Sequence, residues 1–140
     1  MELKGVTILI AGKPTKSGKV YTKKAIQSIL NSPMWKEKEQ NGSNYFVMYT
    51  EDPDYLIGTH NTCGVVYNSR LENNKLVVDV DVLDVPNGRI FKTFVDNGVT
   101  SHFKIIGDEK VNRSGKVDAV KPYYVTTTLF SLYEEEYWVA

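Results

Sequence analysis

The sequence predicts an α+β fold: a curved or barrel-like antiparallel sheet with two short helices, in a single domain over residues 1–140. Three observations carry this expectation. The segments "TCGVVYNSRLE", "KLVVDVDVL" and "YYVTTTLFSLY" are rich in β-branched and aromatic residues. Two other segments place apolar residues on one side at helical spacing. The length of 140 residues suits one modest hydrophobic core.

The elements follow in chain order. "LKGVTILIA", Leu3 to Ala11, is an apolar β-rich run, and "GKPTKSGK" after it reads as a loop. Thr22 is placed to N-cap a helix whose stripe is Ala25, Ile26, Ile29 and Leu30. "NSPMW" is expected to end that helix, because Pro33 disfavours helix in the residue before it. "KEKEQNGSN" is charged and lacks an apolar stripe, so Glu37 to Asn44 reads as the most mobile loop. "YFVMY" is a short strand, and the acidic loop "TEDPDYLIGTHN" follows.

Beyond Thr62, "ENNK" reads as a hairpin turn between two strands. In "LVVDVDVL", Leu76, Val78, Val80 and Val82 share a core face, and Val77, Asp79 and Asp81 share a wetter one. Asn87 is expected to cap the helix "GRIFKTFVDN", with Ile90, Phe91, Phe94 and Val95 facing inward and Gly98 closing its C-terminus.

Composition narrows the function classes. The chain is 41% hydrophobic and 24% charged, near the globular average, and it holds no apolar run of membrane-spanning length. "MELKGVTILIAGKP" lacks a signal-peptide cleavage pattern. Seventeen basic residues balance seventeen acidic ones, which speaks against a nucleic-acid binder driven by bulk charge. One cysteine and two histidines supply neither an internal disulfide nor a zinc framework.

Individual candidates are weighed on the same terms. "GKPTKSGKV" fails as a phosphate loop: Gly12 and Gly18 are one residue too far apart, and Val20 stands where a magnesium-binding hydroxyl belongs. Asp79 and Asp81, with Asp84 nearby, read as the solvent side of a half-buried sheet, and no metal or cofactor is expected there. "EEEYW" reads as a solvated strand edge. Cys63 reads as a small buried hydrophobe. His60 and His102 are the only histidines, so either could serve as a base. Ser101 lies beside His102, but neighbours on a strand point to opposite faces, so this histidine cannot activate that serine.

"SGKVYTKKAIQSIL" resembles the "NGRxYP" stretch and following helix of tailed-phage prohead maturation proteases, serine proteases related in fold to herpesvirus assemblin. "NNKLVVDVDVLDVPNGRIFKTFVDNG" is similar to that family's "G-x-V-x-G-x-x-x-I-L-x-T-P-x-G" strand, turn and helix. "VTSHFKIIG" falls where the family carries its nucleophile, in "G-V-S-S-R-G-x-G". The chemistry departs from the pattern. The family's histidine stretch, "G-x-x-N-H-P", corresponds to "YTEDPDY", where Glu51 and Asp52 precede Pro53. With Gly98 and Gly107 held fixed, the serine slot falls on Phe103 or Lys104, and Ile105 and Ile106 replace the small residues that follow the family's serine.

The resemblance therefore implies a non-catalytic prohead-protease-like phage structural protein, with no catalytic residues, an auxiliary component of the capsid or portal vertex. It implies phage capsid or portal proteins as partners, several copies per assembly, no nucleic acid and no membrane, in a virion assembled in the host cytoplasm. The alternative is an active serine-type maturation protease cleaving scaffold or capsid precursors, with Ser101 as nucleophile and His60 as base. A second alternative is a small host-interaction protein.

Overall fold

The structure is a computed structural model and describes residues 1–133. Six strands form one mixed, half-barrel sheet in the order β1-β4-β3-β2-β6-β5. These are β1 (Glu2–Ile10), β2 (Tyr45–Val47), β3 (Thr62–Glu72), β4 (Lys75–Val82), β5 (His102–Val111) and β6 (Val117–Thr128). Three helices accompany them: α1 (Lys23–Leu30), α2 (Pro33–Gln40) and α3 (Pro86–Asp96). α1 packs on β6, and α3 covers β3 and β4.

The local chemistry explains most boundaries. Thr22 caps α1 by accepting from the Ala25 amide, and Ala25, Ile26 and Ile29 are buried. Between β3 and β4, Asn73 and Asn74 both adopt positive φ, the conformation of a two-residue hairpin turn that asparagine tolerates. Gly98, at φ +78°, ends α3.

The sheet is antiparallel except at one junction. β2 pairs antiparallel with β3 and parallel with β6, so three residues join β1-β4-β3 to the β5–β6 hairpin. Phe46, at the middle of β2, is wholly buried. Its ring meets Phe91 of α3 at 5.3 Å and Phe103 of β5 at 5.2 Å, both edge-to-face. Gly64 makes room for this ring: a Cβ there would lie 2.7 Å from Phe46 Cε1 and 2.1 Å from the Asp81 carbonyl oxygen.

Six expectations are corrected. The sheet is mixed, not wholly antiparallel, and the described residues form three helices, not two. The added helix, α2, occupies much of the expected mobile loop: Ser32 caps it and Pro33 opens it, because proline's missing N–H costs nothing in a first turn. Glu39 accepts from the Ser69 amide at 3.0 Å and Lys38 Nζ donates to the Tyr123 carbonyl at 2.8 Å, which ties α2 to the sheet. Asn87 does not cap α3. It lies inside the helix and donates to the Asn61 carbonyl, and Val85 takes the cap position with Pro86 after it.

The inward face of α3 is also narrower than the stripe implies. Phe91 is buried and Val95 partly so, whereas Ile90 and Phe94 remain 48% and 44% exposed. Finally, Asp79 is not on a wet face; it is 3% exposed. Its carboxylate accepts from Asn68 Nδ2 at 2.9 Å, from the Gly5 amide at 2.9 Å and from Arg70 Nη1 at 3.2 Å. Both flanking ladders are irregular there, between Leu3 and Val6 and between Tyr67 and Arg70, and Asp79 satisfies the groups those bulges free. The Asn68 amide first, then the Gly5 N–H, hold its carboxyl down at about 2.

This packing separates two phenylalanines that look alike in sequence. Phe46→Ala is expected to lower unfolding free energy by about 3–5 kcal/mol, the range for a buried aromatic. Phe94→Ala is expected to cost less than about 1 kcal/mol, as for a surface change. Urea melts of both variants check this, and equal losses contradict the packing described.

Candidate functional site

The chain leaving β2 is held in place before it reaches the acidic loop. Thr126 of β6 is fully buried; its hydroxyl donates to the Met48 carbonyl at 3.0 Å and accepts from the Thr50 amide at 3.1 Å. The Tyr124 hydroxyl donates to the Asp52 carbonyl at 2.6 Å. Asp52 then closes its own turn, accepting from the Asp54 amide on Oδ1 at 2.9 Å.

This anchoring brings Glu51 to β5. Lys104 Nζ donates to Glu51 Oε1 at 2.8 Å, and the Lys104 ammonium lies 5.1 Å from the Tyr49 ring centroid. Lys104, and then the Tyr49 hydroxyl, hold the Glu51 carboxyl below the ordinary carboxylate range. The Tyr49 phenol is pushed up by its hydrogen bond to Glu51.

The three side chains stand in the wall of an open cleft of about 580 Å³. Thr15, Lys16 and Ser17 face them, and Thr128 to Leu132 complete the lining. A neighbouring cleft of about 420 Å³ shares Glu51, Lys104 and Leu132 and continues along β5 past Ile105 and Ile106.

Ser101 is elsewhere. It is partly buried just before β5, beside two shallow apolar hollows lined by Phe91 and Val99. His60 is exposed in the turn before β3, its ring folded over Gly58, where an added Cβ would lie 3.1 Å from His60 Nδ1. The pairings Thr62–Val47, Phe46–Val125 and Val125–Ile105 set β3 and β5 three strand spacings apart, roughly 14 Å along the sheet. Ser101 and His60 thus each precede strands that are not neighbours in the sheet. His102, the first residue of β5, pairs with Thr128, the last of β6.

The remaining candidates are structural. "GKPTKSGKV" is a tight turn with Gly12 and Gly18 at positive φ and a bridge between Pro14 and Val20. Asp84 pairs with exposed Arg89 at 3.1 Å. Cys63 is wholly buried, and burial pushes its thiol up to about 11. No group of three or more metal-ligating side chains is found among the described residues. "EEEYW" begins beyond them. Sequence reasoning did not single out Tyr49, or Lys104 as a paired group; the only signal was that Glu51 and Lys104 both fell in slots reserved for other residues.

No family model and no curated protein matches the sequence. A solved structure does match in fold: the capsid assembly protease of bacteriophage T4. The TM-score is 0.63 over 91% of this chain and 86% of that one, at 11% identity. At this identity the likeness extends to the fold alone.

If Lys104 holds down the Glu51 carboxyl, Lys104→Met raises the pKa of Glu51 toward the ordinary carboxylate value. In the native protein the pair persists above the depressed pKa and is lost as pH falls through it. A carboxyl-carbon NMR titration of both proteins checks this; identical Glu51 titrations contradict the pairing.

Proposed function

We propose that the chain is a non-catalytic, prohead-protease-like phage structural protein that serves as an auxiliary component at the capsid or portal vertex. The T4 capsid assembly protease supplies the fold precedent and the capsid context. One observation carries the non-catalytic part. The segment corresponding to the family's histidine stretch and the strand corresponding to its nucleophile do meet, but through Glu51 and Lys104 at 2.8 Å. An ammonium locked to a carboxylate is neither a nucleophile nor a general base at neutral pH.

Two further features support the reading. Ser101 lines apolar hollows, and among the described residues it makes no hydrogen bond to His60 or His102, the contact that would make its hydroxyl nucleophilic. Ile105 and Ile106 stand where small residues would let backbone amides approach a developing oxyanion, usually the largest catalytic contribution in acyl transfer. Phage capsid or portal proteins are the partners this role implies.

A serine-directed phosphonate is expected to leave Ser101 unlabelled, and Ser101→Ala is expected to leave particle assembly unchanged. The protein is then expected at fixed copy number in purified virions. Stoichiometric labelling of Ser101 that His60→Ala abolishes would establish the maturation protease instead. Absence from virions would favour the host-interaction protein.

A further inference from the structure

Charge is segregated along the chain. Residues 3–36 contain lysines and no acidic residue, whereas residues 40–69 contain Glu51, Asp52 and Asp54 and no lysine or arginine. The two regions meet at the larger cleft, which Lys16 and the Lys104-paired Glu51 both line, and the loop Asp52–Leu56 continues from Glu51. The acidic part is a stiff loop: beyond the Thr126, Tyr124 and Asp52 contacts, Asn61 Nδ2 donates to the Leu56 carbonyl at 2.8 Å and Asn61 Oδ1 accepts from the Gly58 amide at 3.0 Å. At its tip Leu56 is 83% exposed, and Tyr55 packs beside Tyr124 with centroids 6.2 Å apart. Asp52 and Asp54 are exposed and form no ion pair among the described residues.

A rigid loop with an exposed leucine and two unpaired carboxylates suits insertion into an apolar site with a basic rim, because little ordering cost remains on binding. This chain carries a site of that kind. The cleft of about 580 Å³ presents Leu129 and Phe130, both exposed, and its rim carries Lys16, exposed and in no ion pair among the described residues.

We propose that the protein self-associates head to tail, the loop Asp52–Leu56 of one copy entering the Lys16-rimmed cleft of the next. Leu56 meets Leu129 and Phe130, and Asp54 faces Lys16. Such a contact joins two different patches of the chain, so repeated in one direction it propagates into rings or filaments. It does not depend on whether Ser101 is catalytic.

Sedimentation velocity of the full chain across a concentration series tests this. Self-association is expected at low salt and is expected to weaken at high salt. Leu56→Asp, Asp54→Lys and Lys16→Glu are each expected to weaken it roughly tenfold or more. All three sites are exposed, so folding should be retained, and circular dichroism verifies this. The deciding arm mixes the Asp54→Lys protein with the Lys16→Glu protein. Each alone is expected to be monomeric, and together they should co-assemble in equal stoichiometry, because the loop of each variant is complementary in charge to the cleft of the other. A native chain that stays monomeric throughout, or variants that associate like the native chain, or a mixture that does not recover association, overturns the proposal.

Discussion

The burial of Phe46 is the constraint on which the rest of this molecule depends. β2 is three residues long, yet it is the sole link in the sheet order between β3 and β6. Backbone hydrogen bonds over so short a strand contribute little by themselves, about 0.5–1.5 kcal/mol net each. The side chain supplies what the ladder cannot. Phe46 contacts α3 and β5 through Phe91 and Phe103, which approach each other at 5.9 Å, so three elements distant in sequence share one aromatic cluster. Gly64 is required beneath it, because any Cβ there would collide with the ring and with the neighbouring strand.

The same junction determines what the cleft contains. Because β2 runs parallel to β6, its exit points toward Thr126, whose hydroxyl fixes Met48 and Thr50 and so sets the direction of the acidic loop. Glu51 then has little choice but to face Lys104. A scaffold can keep this geometry while the reactive groups change, since fold and chemistry are separable. An exposed ion pair adds little stability. Its place in the cleft wall bears on the chemistry this cleft can offer, because an ammonium held by a carboxylate is neither a free nucleophile nor a free base.

Much of this fold was legible in the sequence where local chemistry dominates. Thr22 with its apolar stripe, the Asn73–Asn74 turn and Gly98 each act through contacts within a few residues, and each is where the sequence puts it. α2 was missed because only Trp35 is buried on it, leaving no apolar stripe to read. Ser32 followed by Pro33 was the available signal, an N-cap and first-turn proline taken for a terminator. Ile90 and Phe94 look like core because a helix stripe cannot reveal how wide a face the sheet covers. Asp79 looks like surface because alternation cannot show two bulges turning their freed groups toward one carboxylate. The parallel β2–β6 pairing left no trace at all, being a property of two segments nearly 80 residues apart. The meeting of Glu51 and Lys104 was illegible for the same reason, although each residue was individually visible as a departure from the resembled pattern.

The most direct test of this account uses the only cysteine. Cys63 lies wholly buried on β3, its thiol against the backbone of Met48 where β2 ends, so its reactivity reports whether this junction opens. Thiol labelling of the native protein in low denaturant gives an opening free energy, to be compared with that for global unfolding from a urea melt. If Phe46 binds the two parts of the sheet into one cooperative unit, the two free energies agree. An opening free energy well below the global value, with β3 and β4 still protected from hydrogen exchange, would show that the junction parts by itself and would contradict the central role assigned to Phe46.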